Sequence, residues 1–255
     1  MLLVIDIGNT NIKFGIYNAK KLAASWRIAT DLFKTADEYG MVLTSLMAAS
    51  KLGKEDITGV IMSSVVPSVN FTMEHMLEYY IGRNPLVVGP GIKTGLNIKL
   101  DNPKELGGDI ICDAVSAFKR YGGPCIVIDF GTATTFSYTS AAGEFMGGCI
   151  CPGVKLSLDA LIDKASKLPR IELVLPEKVI GKSTVSSMQA GLLYGYIGQI
   201  EYILRKMKEE ANAFDAKVIS TGGMAKIIAK NTTAIDIVDP MLTLEGLRLL
   251  YELNL

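Results

Sequence analysis

The sequence predicts a mixed α/β protein built from two similar halves, and three observations predict it. Short apolar runs rich in Val and Ile alternate with helical patterns along the 255 residues. The stretch Asp6-Ile-Gly-Asn-Thr10 returns as Asp129-Phe-Gly-Thr-Ala133, each time between two strand-like runs. Apolar residues make up 49% and charged residues 20%, the balance of a chain that buries a core, and the length suits one large domain or two ordinary ones.

Taken in order, Leu2 to Ile5 reads as a strand ending at Asp6, and Gly8-Asn9-Thr10 turns it into a second strand, Ile12 to Tyr17. A third runs around Leu22 to Ile28. Thr35-Ala-Asp-Glu38 has capping-box spacing, in which the threonine oxygen and the glutamate each take up a free N–H of the first turn. It opens a helix to about Leu52. A strand over Ile57 to Ser63 and a helix from Pro67 to about Ile81 complete a βββαβα half. The order restarts at Cys125 to Ile128, followed by Asp129 and a turn through Gly131-Thr-Ala133 into a strand ending near Tyr138. Helices over Gly153 to Ser166 and Ser183 to Glu210, a strand over Lys217 to Ser220, a short helix from Gly223, a strand over Ile235 to Val238 and a last helix from Leu242 follow. A boundary near Tyr121 to Pro124 divides the chain into halves 1–122 and 123–255, each a mixed sheet covered by helices.

Lys+Arg and Asp+Glu balance at 26 each without a basic run, which argues against a nucleic-acid groove or an anionic membrane as partner and for a small molecule. Met1-Leu-Leu-Val-Ile-Asp6 has no cationic region and is interrupted by a carboxylate, so it is no signal peptide, and a cytoplasmic protein is expected. The four cysteines, Cys112, Cys125, Cys149 and Cys151, form no C-x-x-C pair and are expected to be reduced and packed. The single histidine, His75, lies in an amphipathic helical stretch and is read as structural; Trp26 is read as packing, and Met41, Met47, Met73 and Met76 as core or subunit contacts. The helix from Ser183 carries Gly191, Gly195 and Gly198 and is the candidate dimer element, although small residues there serve interdomain packing equally well.

A strand that ends in Asp and turns through Gly can present successive backbone N–H groups to an anion, and Thr10 and Thr132 add hydroxyl donors. Asp6 repels phosphate directly and is better suited to hold Mg²⁺, while Lys13 can neutralise phosphate charge. One such loop is often only a turn; two, each opening its own half, suit a nucleotide clamped from both sides. Thr221-Gly-Gly223 adds a Gly-rich strand exit at a helix start, suited to the adenosine or ribose side. No Walker or G-x-G-x-x-G sequence is present. Glu105, Asp109 and Asp113 form an acidic stripe if one helix spans them; if Gly107-Gly108 breaks that helix, Asp109 stands at a helix start, where the dipole favours its ionised form.

The paired loops resemble the actin-like (ribonuclease H-like) superfamily, and within it the chain is similar, end to end, to type III pantothenate kinases. The stretches that carry the resemblance are Asp6-Ile-Gly-Asn-Thr10, Ser63-Ser-Val-Val-Pro67, Asn102-Pro103 through Gly107-Gly-Asp109, Asp129-Phe-Gly-Thr-Ala-Thr-Thr135, Gly147-Gly148 with Pro152-Gly153, Thr184 with Gln189 and Gly191, and Thr221-Gly-Gly223. The resemblance implies duplicated actin-like domains and ATP-dependent phosphorylation of pantothenate to 4′-phosphopantothenate, the first step of coenzyme A synthesis. It further implies Mg²⁺, a monovalent cation (K⁺ or NH₄⁺), and a homodimer whose active site involves both subunits. By the same resemblance Asp6, Ile7, Gly8, Asn9, Thr10, Asn11, Ile12 and Lys13 bind the phosphates of ATP, with Thr132 as a second contact. Gly107, Gly108, Asp109, Ile110 and Thr184 hold pantothenate, Asp109 is the general base, and Asp129 binds the monovalent cation.

The family motif reads Gly-x-Asp-Arg, and Ile110 stands where the arginine would; Leu100 stands where the family commonly has Tyr. Neither side chain can make a polar contact with substrate. Weakened binding, a remodelled pocket and loss of the reaction all follow as readings. The alternatives to the kinase are therefore a non-catalytic transcriptional accessory factor of the same fold, or another small actin-like phosphotransferase.

Overall fold

Three consecutive runs, β1 (Leu2–Ile7), β2 (Asn11–Asn18) and β3 (Lys21–Ala29), pair antiparallel as a meander. The computed structural model describes residues 1–255. Helix α1 (Ala36–Ala49) starts at Thr35, whose hydroxyl accepts from the Glu38 N–H while Glu38 accepts from the Thr35 N–H at 2.8 Å, the reciprocal box that the spacing predicts. Thr35→Ala is expected to cost about 1 kcal/mol, read as a lower midpoint in urea unfolding. Strand β4 (Gly59–Ser64) then lies parallel to β1, and α2 (Pro67–Met76) continues as one π-helical turn over Leu77–Ile81, closed by Gly82 in the left-handed region at φ 72°. Two-residue strands β5 (Leu86–Val87) and β6 (Asn97–Ile98) lead to α3 (Gly108–Tyr121).

The second sheet repeats the plan. Strands β7 (Cys125–Phe130), β8 (Ala133–Thr139) and β9 (Glu144–Pro152) form the meander. Helices α4 (Val154–Lys164) and α5 (Thr184–Glu210) precede β10 (Lys217–Gly222), which lies parallel to β7; α6 (Ala225–Ala229), β11 (Ile237–Val238) and α7 (Leu242–Leu253) follow. The order β3-β2-β1-β4-β5 in the first sheet is matched by β9-β8-β7-β10-β11 in the second, so two mixed sheets with the same strand directions stand behind the repeated loops.

Strand β9 is the long element that sequence periodicity misses, along with the two-residue strands β5 and β6. Met146-Gly-Gly148 breaks the apolar alternation, and the strand is irregular there, with Gly147 at φ 111° and a register shift opposite Tyr138 and Thr139. At Gly148 a Cβ would run into the Phe136 carbonyl, so the β8–β9 approach needs glycine.

The chain forms compact units over Met1–Lys119 with Met241–Leu255, and over Arg120–Pro240. The last helix, which the sequence reading assigns to the half 123–255, therefore packs with the first sheet. Its Leu244, Leu247 and Leu250 are buried with Val4, Ile61, Ile111 and Val115, whereas the opposite face of that sheet is covered by α1 and α2. The apolar stripe of α7 needs a sheet to cover, and the close approach at Gly246, which lets its backbone lie against Cys112 of α3, fits it to this one. In the other unit, Ile126, Ile128 and Val218 of the sheet pack against Leu193, Ile197 and Ile200 of α5. All four cysteines are free thiols, and Met47, Met73 and Met76 are core residues while Met41 is exposed. His75 stacks on Phe71 at the surface. No helix is long and apolar enough to cross a membrane.

Candidate active site

In the first unit the loop after β1 is held from within. The Gly8 N–H donates to Asn11 O at 3.0 Å, the Thr30 hydroxyl to Gly8 O at 2.6 Å, and the Thr30 N–H to Thr10 O at 3.0 Å. The Gly8 amide is thus engaged, and an anion at this turn is left with the amides that follow it. In the second unit the Gly131 N–H is engaged the same way, donating to Ala133 O at 3.0 Å, and the Gly153 N–H donates to Thr132 O at 3.0 Å, which sets the start of α4 beside the loop.

Register places the charged residues. Asp6 is the cross-strand partner of Lys13 on β2 and of Ser63 on β4, so the three side chains form a row on one face of the sheet. Lys13 Nζ lies 3.2 Å from Asp6 Oδ2, and Asp6 is only 7% exposed. Ser63 is fully buried, and its hydroxyl has no hydrogen-bond partner. The second unit has an equivalent row: Asp129 is paired in register with Thr135 on β8 and Thr221 on β10, and the Thr221 hydroxyl is likewise buried without a partner. Gly222 follows at φ 91°, where a Cβ would stand 2.5 Å from Asp129 Oδ1 and from Phe130 O. Glycine is needed there both for its conformation and for the approach of these oxygens.

Asp109 resolves the alternative that the sequence leaves open. Pro103–Glu105 is a separate 3₁₀ turn and α3 begins at Gly108, so Asp109 lies in the first turn of the helix and Glu105 lies outside it. There is no solvated acidic stripe, since Asp113 is buried. Asp109 Oδ1 accepts from the Ile110 N–H at 2.8 Å. Burial nonetheless raises the Asp109 pKa; the negative charge of Asp6 adds to the rise, while the Ile110 N–H and Lys13 oppose it. The helix start that favours ionisation is therefore outweighed by desolvation and a like charge. Cys112, one turn on, is pushed well up by burial and by the neighbouring Asp6, Asp113 and Asp109, which makes it an inert thiol.

The structure thus brings Asp6–Lys13 together with Gly107–Ile110 in one unit, and Asp129 together with Thr132 in the other. Thr184 stands apart on a different element of the second unit, as the first residue of α5, capped by Ser183. It borders an open depression of about 710 Å³ that also contains Lys182, Ser187 and Met188. Ile110 and Leu100 are half-buried. Sequence reasoning gives no role to Lys182 and names Ser63 only within a stretch that carries the resemblance; Thr221 it places in the Gly-rich exit suited to the adenosine or ribose side. Both hydroxyls lie among apolar strand residues where β4 and β10 run out beside the two loops, and their meaning depends on neighbours that only the fold supplies.

The sequence model of the type III pantothenate kinases matches residues 2–206. A type III pantothenate kinase of Bacillus cytotoxicus is 53% identical over 254 residues, covering 100% of this chain and 97% of that protein. Among solved structures, a Campylobacter jejuni protein assigned to the Baf family of transcriptional activators superposes with a TM-score of 0.62 at 17% identity, over 98% of this chain and 97% of that one. A protein of Sinorhizobium meliloti assigned as a 2-dehydro-3-deoxygalactonokinase gives 0.61 at 11% identity, over 99% and 96%. At such identities the superpositions show the shared fold alone.

Proposed function

Because this chain belongs to the type III pantothenate kinase family, we propose that it transfers the γ-phosphoryl group of ATP to the primary hydroxyl of pantothenate. The products are 4′-phosphopantothenate and ADP, and the reaction is the first step of coenzyme A synthesis. The observation that carries the catalytic part of this reading is the placement of Asp109. A half-buried carboxylate at a helix start, beside the Asp6–Lys13 loop, can take a proton from a substrate hydroxyl where phosphate is bound.

In this reading Asp6–Lys13 form the phosphate cradle, Thr132 contributes the second contact, and Gly107–Ile110 with Thr184 hold pantothenate. Lys182, in the same depression as Thr184, would supply positive charge for the pantothenate carboxylate. Ile110 N–H fixes Asp109 Oδ1, leaving Oδ2 to accept the hydroxyl proton. The hydroxyl oxygen then bonds to the γ-phosphorus as the bond to the β–γ bridging oxygen breaks, and ADP leaves.

The protein has no cluster of three acidic, histidine or cysteine side chains able to hold a metal by itself. That fits Mg²⁺ in a kinase, which is bound by one or two carboxylates together with substrate phosphates and water, and Asp6 is the carboxylate placed for it. Bound there, Mg²⁺ would offset the charge of the transferring phosphates. Asp129, with the Phe130 carbonyl close by across Gly222, offers the oxygen donors that K⁺ or NH₄⁺ requires. A homodimer belongs to the same reading: at Gly191, Gly195 and Gly198, on one face of α5, an added Cβ would meet nothing within 4 Å, leaving that face open to a close helix contact. Cytoplasmic residence follows from the substrate and from ATP.

ADP release with Mg-ATP and K⁺, measured with and without pantothenate, tests the reading, and dependence on pantothenate is expected. Ile110→Arg restores a donor to the substrate segment and is expected to lower the pantothenate KM by about tenfold, since a hydrogen bond to a charged group is worth roughly 1.5–3 kcal/mol. ADP release indifferent to pantothenate in both proteins would refute the assignment.

A further inference from the structure

We propose that Ser63 is a positioning residue for phosphoryl transfer, whose hydroxyl becomes the hydrogen-bond donor to Asp6 when Lys13 is drawn from Asp6 to the phosphates of ATP. The inference rests on the reading of Asp6–Lys13 as the phosphate cradle.

Three observations on separate elements lead to it. Asp6 stands in register between Lys13 and Ser63, so the two flank it from opposite sides on one face of the sheet. Lys13 is already committed to Asp6 at 3.2 Å. A lysine shared with a phosphate gives Asp6 less of its charge, and an almost buried carboxylate, even with one oxygen turned to Mg²⁺, has a second oxygen to satisfy. Ser63 is the residue placed to donate to it. Adjacent strands lie about 4.8 Å apart, so rotation about the Ser63 Cα–Cβ bond carries the hydroxyl toward Asp6.

The hydroxyl earns no place in the packing. It is fully buried without a partner, and alanine would fill the position without stranding a polar atom. It also constrains its surroundings: a Cβ on Gly108, the residue before Asp109, would stand 2.6 Å from Ser63 Oγ. The start of α3 therefore passes close to this oxygen without bonding to it, so a shift at Ser63 reaches both Asp6 and Asp109. The second unit supports the assignment, because Thr221 has the same register relation to Asp129 and the same unpartnered hydroxyl.

The test compares wild type, Ser63→Ala and Lys13→Ala by melting temperature with and without Mg-ATP, and by kcat and KM for both substrates. Ser63→Ala is expected to melt at or above wild type without nucleotide and to gain less than half of the wild-type increment from Mg-ATP. Its kcat is expected to fall about tenfold, equivalent to about 1.4 kcal/mol in the barrier, with the pantothenate KM within about twofold of wild type. A purely structural serine would instead lower the nucleotide-free melting temperature and leave the increment intact. If Lys13→Ala loses the increment while Ser63→Ala keeps both it and kcat, the role of Ser63 is overturned and the phosphate cradle stands. If Lys13→Ala keeps the full increment, the cradle itself fails and the Ser63 proposal fails with it. A second variant, Ser63→Ala with Gly108→Ala, tests this closeness by stability alone: removing Oγ makes room for the new Cβ, so the pair should melt above Gly108→Ala alone, and equal melting would overturn it.

Discussion

Asp109→Asn is expected to turn over about 10²- to 10⁴-fold more slowly while melting at a higher temperature than the wild type. On the proposed role of Asp109, the loss follows from removing the group that accepts the hydroxyl proton; what catalysis remains comes from alignment of the reactants and from the charges around the phosphates. The gain in stability has a separate cause. The Asp109 pKa is raised in the folded state by burial and by Asp6, so the folded protein binds this proton more tightly than the unfolded chain does. Ionised Asp109 therefore costs stability above its folded-state pKa, and the cost disappears as pH falls through that value toward the ordinary carboxylate range. Asparagine removes it at neutral pH. The same shift places the acid limb of kcat/KM above the range of an unperturbed aspartate, with activity falling as pH drops through it. Steady-state rates across pH and a thermal melt at pH 7 check both parts; undiminished turnover would refute the base assignment, and a lower melting temperature would refute the account of its environment.

Gly246→Ala is expected to destabilise the first unit by about 1–3 kcal/mol or more, the usual range for overpacking a close contact. The neighbour is the Cys112 main chain of α3, not a flexible side chain, so the new Cβ can be accommodated only by separating two helices. That separation opens the layer of Leu244, Leu247 and Leu250 over Val4 and Ile61, and it displaces the helix that carries Asp109. Calorimetry should show the lower melting temperature, and activity should fall with it although residue 246 is far along the chain from every site residue.

Much of the fold is legible from the residues. The three strands of the first meander, the fourth strand and the capping box at Thr35 follow from local apolar alternation and side-chain chemistry acting over a few residues. Strand β9 is not legible, because glycines at 147 and 148 remove the periodicity on which a strand is recognised; the reasons for them are the φ of 111° at Gly147 and the Phe136 carbonyl on a neighbouring strand at Gly148. The placement of α7 is not legible either: its stripe announces a helix with an apolar face, but not which of two similar sheets it covers. At the candidate site the loops are visible as motifs, whereas the electrostatic state of Asp109 depends on Asp6, which sits more than a hundred residues away and is brought near only by the seating of α3. Ser63 escapes for the same reason, since a buried hydroxyl is informative only once its neighbours are known.

The return of α7 to the first sheet has a consequence for the nascent chain. On the ribosome β1, β2 and β4 emerge early, but the helix that covers one face of their sheet follows only after all of Arg120–Pro240. At about 5–20 residues per second that interval is on the order of ten seconds, during which Val4 and Ile61 have α3 but not α7 over them while the second unit is already long enough to fold by itself. The order of synthesis is then the reverse of the order of completion: the unit that begins first finishes last.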